Sequence, residues 1–311
     1  MGQAEELWKA FLAQHPEVAA GKVSLDELNG KLAAFNQRRN QTPHVDFEGL
    51  SPEQMHHLLH SPLSTDSVIG LKSSYEETVL DKIPFFVLME KLWKELQTNL
   101  NLKLTPKGNL SIEACKRLYE DKMLVQEDIE RGITKKISED NVAFIRALKV
   151  CLQLGGYVKK RKNLLSLTKT GEKGLQLNRS KQFVKVFTDF TTQFNWAYMD
   201  YVENATAGQF AWAFSLYLLH KYGEEWKESS FYTNMLLKAF PMISPLIPHP
   251  MYASMEIEYE RVYQWRFVEH FAFWFGLVEL EQRKEQGIYG YKLFLRKSDL
   301  FDKIFQVQFN S

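Results

Sequence analysis

The chain has 311 residues, of which 45% are hydrophobic and 25% are charged, close to the composition of an average globular protein. Its 22 Phe, 13 Tyr and 7 Trp residues exclude an intrinsically disordered chain, because disordered segments contain few aromatic residues. The net charge of +1 indicates that the chain as a whole is not a basic, polyanion-binding protein.

The ends of the chain and its cysteines bear on location. The first residues lack the basic and apolar stretches of a secretory signal, and no apolar run reaches the roughly 18 residues of a membrane span. We therefore expect a cytoplasmic protein with no membrane partner. Cys115 and Cys151 lie in amphipathic helical patterns. A disulfide is compatible with their number, but buried free thiols fit a reducing compartment better.

Two capping boxes mark helix starts near the N-terminus. Ser24 is followed three residues later by Glu27, and Ser51 by Gln54, so each serine is expected to begin a helix. Between them, residues 36–42 are polar and precede a proline, which predicts a linker.

Two successive segments then show the same order of predicted elements: helix, short strand, helix, helix and a two-stranded hairpin. In the first segment these are helix 83–100, strand 102–104, a helix capped by Ser111, helix 139–154, strands 157–160 and 164–168, and a final helix near Thr170. In the second they are helix 208–222, strand 225–227, helices 230–240 and 256–275, and strands 277–282 and 291–296.

The two closing hairpins can be aligned. Gly156 matches Gly276 at the start, and residues 165–170 match 293–298, which makes Thr170 and Ser298 the expected caps of a last helix. This correspondence predicts an internal duplication.

The repeated order, and the stretch 165–174 in particular, resembles the wing strand and trailing helix of bacterial winged-helix regulators. The resemblance covers about residues 80–178 and, more weakly, 182–306; residues 50–240 are also similar to uncharacterised bacterial proteins. It implies a mainly α fold with small β-hairpins, in which an N-terminal helical extension precedes two winged-helix-like units in tandem. We place these parts at residues 1–64, 65–180 and 181–311.

The charge is concentrated in the middle of the chain. Residues 101–180 carry 17 Lys and Arg against 9 Asp and Glu. The resemblance implies that a hairpin wing grips phosphate while a helix enters the major groove, and it makes this a non-enzymatic, regulator-like protein that contacts nucleic acid. The candidate contacts are the wing cations Lys159, Lys160, Arg161 and Lys162, their neighbours Lys169 and Lys173, and Arg146 and Lys149 on the preceding helix.

Two features oppose this interpretation. Glu139 and Asp140 stand where the groove-reading helix would begin, and carboxylates there would repel phosphate. The gap between Asp121 and Glu139 is also too long for a tight helix-turn-helix connection. The alternative is a solvated hairpin whose lysines keep an edge strand from pairing with other chains.

A second functional hypothesis is a protein-interaction scaffold that uses the aromatic-rich second unit. Residues 181–280 hold 25 aromatic residues, and Phe183, Phe187, Phe190 and Phe194 recur on one helical face. Such a face can form a partner surface, but core packing is the favoured explanation.

The search for catalytic motifs identifies one weak candidate, a metal-dependent enzyme at His56 and His60. These residues are four apart on a predicted helix, and His44 or Asp46 could supply a third ligand. A P-loop, a nucleophile elbow, an H-E-x-x-H motif and paired metal-binding cysteines are absent from the sequence. We therefore predict no catalytic residue, no metal and no cofactor, and the sequence leaves the oligomeric state open.

Overall fold

The computed structural model describes residues 3–200, 202, 207–246, 254–284 and 290–308. Helices predominate, and the strands form one two-stranded and two three-stranded antiparallel sheets. The predicted fold class, mainly α with small β-hairpins, is confirmed.

The N-terminal extension is helical, as predicted. Its helices are α1 (Gln3–Gln14), α2 (Pro16–Ala19), α3 (Leu25–Gln41) and α4 (Pro52–His60). Both capping boxes are present, at Ser24 and Ser51. The predicted linker at 36–42 is wrong, because α3 continues to Gln41. This polar stretch contains no glycine, and the first proline is Pro43, so no helix-breaking residue ends α3 earlier.

The first unit contains the predicted order of elements, preceded by a short strand and a short helix. They are β1 (Ile69–Leu71), α5 (Glu77–Leu80), α6 (Pro84–Asn99), β2 (Leu102–Lys103), α7 (Ile112–Tyr119), α8 (Glu127–Glu130), α9 (Ala143–Leu154), β3 (Val158–Arg161), β4 (Leu164–Leu167) and α10 (Lys169–Leu175). The helix expected from residue 139 begins at Ala143 instead.

The second unit repeats this order. Its elements are α11 (Arg179–Thr192), α12 (Trp212–Tyr222), β5 (Lys227–Glu228), α13 (Ser229–Ala239), α14 (Met255–Tyr263) with a π-helical continuation (Gln264–Ala272), β6 (Val278–Arg283), β7 (Lys292–Lys297), α15 (Phe301–Ile304) and β8 (Phe305–Val307). Single 3-10 turns lie at Val45–Phe47, Trp196–Met199 and Pro241–Leu246.

The two three-stranded sheets have the same topology. The order is β2-β4-β3 in the first unit and β5-β7-β6 in the second. The matched glycines are equivalent, since Gly156 and Gly276 have φ of 69° and 68°. The Thr168 hydroxyl donates to the Gly156 carbonyl (2.6 Å), and the Ser298 hydroxyl donates to that of Gly276 (2.5 Å). These shared bonds support a duplicated unit.

The hairpin alignment nevertheless needs a correction of two residues. Ser298 corresponds to Thr168 and not to Thr170, and Thr168 caps α10 through the Gly171 N–H. A shift of two keeps every side chain on the same face of the strand, so the hydrophobic pattern could not reveal it.

The units pack on each other as expected and share a continuous hydrophobic core. Phe85 of α6 lies edge-on to Phe190 of α11, with ring centroids 5.1 Å apart. Strand β1 pairs with β8, which joins the beginning of the first unit to the end of the second. The phenylalanine face of α11 is buried, confirming its predicted role in the core.

Candidate functional site

The β3–β4 hairpin closes with a two-residue turn at Lys162 and Asn163. Both residues have positive φ, 48° and 57°, the backbone of the type I′ turn that matches the twist of a hairpin. Arg161 and Leu164 form the last strand pair before the turn. The turn therefore fixes the register of the hairpin and places Lys162 at its tip.

Strand pairing brings a further lysine to this hairpin. Lys103 of β2 pairs with Leu164, which in turn pairs with Arg161. Residues directly opposite each other point to the same side of a sheet, and side chains two apart on a strand do so as well. Lys103, Lys159 and Arg161 therefore share one side of the sheet, and all three are exposed. Together with Lys162 at the tip, we call them the basic face.

Sequence reasoning missed Lys103, because it stands alone in its own segment, 55 positions or more from the wing. Its neighbours become apparent only through the β2–β4 register. The signal available in the sequence was the predicted strand at 102–104, whose partner could not be assigned.

The three strands of this sheet and the residues next to them in the chain contain no carboxylate. Residues 102–110 and 157–171 carry cations alone: Lys103, Lys107, Lys159, Lys160, Arg161, Lys162 and Lys169. In the described part of the chain, none of these cations has a carboxylate oxygen within 4.0 Å. Their charges are therefore available to an external anion.

Lys160 belongs to the β3–β4 hairpin but not to the basic face. It pairs with the buried Leu165, so it points to the opposite side, and its ammonium group lies beside Gly108. A Cβ at position 108 would be 2.1 Å from the Lys160 Nζ, and Gly108 also has a φ of 87°. The positive φ is the reason for glycine at this turn, because the ammonium end of the flexible Lys160 side chain could move away from an added Cβ.

Lys169 and Lys173 lie on the exposed side of α10, at the base of the hairpin. The opposite side of α10 is closely packed: a Cβ at Gly174 would lie 2.5 Å from the Trp93 ring. These lysines extend the positive charge away from the tip, and the exposed Glu172 lies between them in the chain.

The predicted contribution of α9 is contradicted by the structure. Lys149 is buried and forms an ion pair with Glu139, and its ammonium group also donates to the Gly108 carbonyl oxygen (3.0 Å). Arg146 is half-buried and donates to the Asp140 carbonyl oxygen (3.0 Å). The i, i+3 spacing correctly placed both on one side of the helix, but that side faces the loop before α9 and not solvent.

The helix α9 is also enclosed by its surroundings. Seven of its twelve residues are buried. Phe144 in its first turn lies edge-on to Trp274 of the second unit, with centroids 6.5 Å apart. The end that would read bases in a winged helix is therefore covered by protein.

The acidic residues before α9 are occupied within the protein. Glu139 is 3% exposed and accepts from the Leu110 backbone N–H (2.6 Å) in addition to its ion pair. Asp140 accepts from the Asn109 side-chain amide (2.8 Å). Glu139 therefore presents no free carboxylate to an approaching phosphate, which removes part of the electrostatic objection. The long connection between α7 and α9 is confirmed and contains only the short α8.

The second hairpin provides an internal comparison. The cations on its strands are paired, among them Arg296 with Glu279, Arg283 with Glu281, and Lys292 with Glu228. The same supersecondary unit thus has a charge-compensated hairpin in one copy and an uncompensated one in the other. Charged residues protect an edge strand whether or not their charge is balanced, as it is in the second hairpin. Edge protection therefore does not explain the uncompensated charge of the first hairpin.

A groove of about 850 Å³ lies next to Lys103, between α6 and α7. Each of its other cations has a carboxylate partner: Arg117 pairs with Glu95, Lys91 with Glu120 and Asp121, and Lys94 lies 4.0 Å from Glu90. The groove therefore does not extend the basic face.

The candidate metal ligands do not form a site. The rings of His56 and His60 are 4.5 Å apart, as the helical spacing predicts. His44, however, begins a separate 3-10 turn, where its Nδ1 accepts from the Asp46 N–H (3.2 Å). Across the residues that the structure describes, no group of three or more His, Cys, Asp or Glu side chains is arranged to hold a metal ion.

Comparisons of the chain with protein-family models, with curated proteins and with solved structures find no match. Within the described ranges, none of the helices combines the length and hydropathy that crossing a membrane requires. The basic face, with its geometry and its unpaired charge, is therefore the feature of the molecule that bears on function.

Proposed function

We propose that this protein is a non-enzymatic nucleic-acid-binding protein that contacts the phosphate backbone through the basic face. Lys103, Lys159 and Arg161 present three cations from two strands on one side of the sheet, and Lys162 adds a fourth at the tip. Such a group releases counterions from a polyanion and binds it without regard to sequence.

The observation that carries this proposal is the contrast between the two hairpins. The strands of the second hairpin pair Arg283, Lys292 and Arg296 with glutamates, whereas the strands of the first contain no acidic residue. Uncompensated positive charge on a folded surface favours an anionic partner. The winged-helix resemblance supports the same proposal, since it assigns phosphate contact to this hairpin.

The expected mode is backbone contact to duplex without base readout. The helix that would enter the major groove is covered, so no side chain is positioned at base edges. The three strands of this sheet also contain no aromatic residue, and single-strand binding usually depends on aromatic stacking. Duplex is therefore the favoured ligand.

Fluorescence anisotropy with a labelled random-sequence duplex tests the proposal at about 50 and 200 mM salt. The wild type is compared with a variant in which Lys103, Lys159, Arg161 and Lys162 are all changed to Ala. Four phosphate contacts predict a slope of log K against log salt near −3.6, which the variant should flatten. Sequence-scrambled duplexes should bind with similar affinity.

A matched control removes the same charge elsewhere. Arg38, Arg39, Lys135 and Lys136 are exposed cations outside the sheet. Their replacement by Ala should leave the slope nearly unchanged. The proposal would be overturned if the wild type did not bind duplex at 50 mM salt. It would also be overturned if the basic-face variant and the control variant lost the same amount of duplex affinity.

A further inference from the structure

A second surface feature is a groove of about 530 Å³ between the end of β1 and the exposed side of α11. Its floor is apolar and consists of Leu63, Leu71, Leu177 and Val184, all partly buried. Leu63 and Leu71 also pack against the core, which makes the floor a fixed surface. Apolar groups held at the base of a groove can be buried further by a ligand that carries apolar side chains.

Leu63 has an unusual backbone for its residue type. Its φ is 73°, in the left-handed region that disfavours residues with a side chain. Strained residues of this kind cluster at sites where the strain positions a group for binding. Here the left-handed backbone places the Leu63 side chain in the floor of the groove.

The rim of the groove is basic. Lys72, Lys181 and Lys185 line it, and the described lining residues include no carboxylate. Lys181 and Lys185 are exposed and lie one helical turn apart on α11. The Lys72 ammonium donates to the Asp302 carbonyl oxygen (2.5 Å), and the Lys185 ammonium lies 6.0 Å from the centre of the Tyr157 ring. Neither contact neutralises a charge, so the groove attracts acidic ligands.

We propose that this groove binds an acidic, amphipathic segment of a partner protein. The apolar side chains of the segment would enter the floor, and its carboxylates would meet Lys181 and Lys185. Nucleic acid is a poorer match, because a phosphate backbone would leave the leucine floor unused. The inference does not rest on the nucleic-acid proposal, since the groove and the basic face share no residue.

A random 12-residue peptide phage library selected on the full chain tests this proposal. Enriched peptides should combine Asp or Glu with Leu, Ile or Phe, and the strongest is then synthesised with a fluorescent label. Lys181→Glu with Lys185→Glu should weaken its binding at least tenfold. Both positions are exposed, so the double variant is expected to fold, which circular dichroism checks.

Two further variants separate the groove from general charge effects. Lys135→Glu with Lys136→Glu makes the same charge change at exposed positions outside the groove and should alter the peptide Kd less than twofold. Val184→Ser tests the apolar floor without adding charge and should also weaken binding. The alanine variant of Lys103, Lys159, Arg161 and Lys162 should bind the peptide like the wild type.

The proposal is overturned if no peptide is enriched, if the enriched peptides lack acidic residues, or if the groove variants bind them like the wild type. Displacement of the peptide by duplex, together with loss of duplex binding in the Lys181→Glu, Lys185→Glu variant, would assign the groove to nucleic acid instead.

Discussion

The Lys149 ammonium group and the Glu139 carboxylate form an ion pair inside the first unit, where their side chains are only 9% and 4% exposed. The pair joins α9 to the loop before it, and each partner also binds the backbone of the 108–110 turn. It therefore supports the turn against which Lys160 of the wing packs.

This relationship predicts that Lys149 contributes to stability and not to nucleic-acid binding. Lys149→Met should lower the free energy of unfolding by about 3–5 kcal/mol, because it leaves the buried Glu139 charge without a partner. Adding Glu139→Gln should recover part of the loss. Urea denaturation measures both effects, and Lys169→Met at an exposed position is the control. A Lys149→Met protein of wild-type stability would show that the pair is not formed.

Glycine replacements test the packing of α10. Gly174→Ala should destabilise the protein by about 1–3 kcal/mol, since its Cβ would overlap the Trp93 ring. Gly30→Ala is the matched control, because Gly30 is also helical but has no neighbour within 4 Å of the added Cβ. This change should stabilise the protein by up to about 1 kcal/mol. Thermal or urea unfolding measures the stability of both variants. Equal changes in stability for Gly174→Ala and Gly30→Ala would contradict the packing described.

Two adjacent groups in the π-helical segment predict opposing pH effects. Burial raises the pKa of Glu269 to about 7 and lowers the pKa of His270 to about 4. Between about pH 4.5 and 7 the folded protein holds the Glu269 proton more tightly than the unfolded chain, so stability falls as pH rises. For His270 the unfolded chain binds the proton more tightly between about pH 4 and 6.5, so stability rises with pH.

Glu269→Gln separates these effects. The variant should match the wild type near pH 4.5 and become progressively more stable than it up to pH 7, by as much as about 3 kcal/mol, with no further change above that. Its own stability should still rise from pH 4 to 6.5 because His270 remains. Urea titrations at pH 4.5, 6, 7 and 8 provide the comparison. If the free energies of unfolding of the variant and the wild type differed by the same amount at every pH in this range, Glu269 would have an ordinary pKa.

The thiols are expected to be unreactive in the folded protein. Cys115 and Cys151 are free and buried, as predicted, and burial raises the pKa of Cys115 to about 12 and that of Cys151 well above its usual value. Because the thiolate is the reactive form, iodoacetamide should label neither residue at pH 8 within the time that labels both in urea. Mass spectrometry counts the adducts. Rapid labelling of the native protein would contradict the burial.

Local patterns in the sequence predicted much of this fold. The capping boxes at Ser24 and Ser51 and the tight hairpin at Lys162 depend on residues close together in the chain, and each is present. The linker predicted at 36–42 failed because polarity alone does not end a helix; α3 instead continues to Gln41.

The candidate site was only partly predictable, because its geometry depends on contacts between distant segments. The cations of the wing follow one another in the chain, but Lys103 joins them only through the β2–β4 register. The pattern that placed Arg146 and Lys149 on one helical side could not show which side was covered. That side faces Glu139, whose carboxylate is buried with Lys149.

The most direct test of the proposed function uses the three cations that share one side of the sheet. Lys103, Lys159 and Arg161 are changed together to Ala, and duplex affinity is measured by anisotropy over a salt series. Three lost phosphate contacts predict a slope of log K against log salt that is shallower by about 2.7 than that of the wild type. Replacement of Arg38, Lys135 and Lys136 should leave the wild-type slope. Equal slopes for the basic-face variant and the wild type would contradict the account.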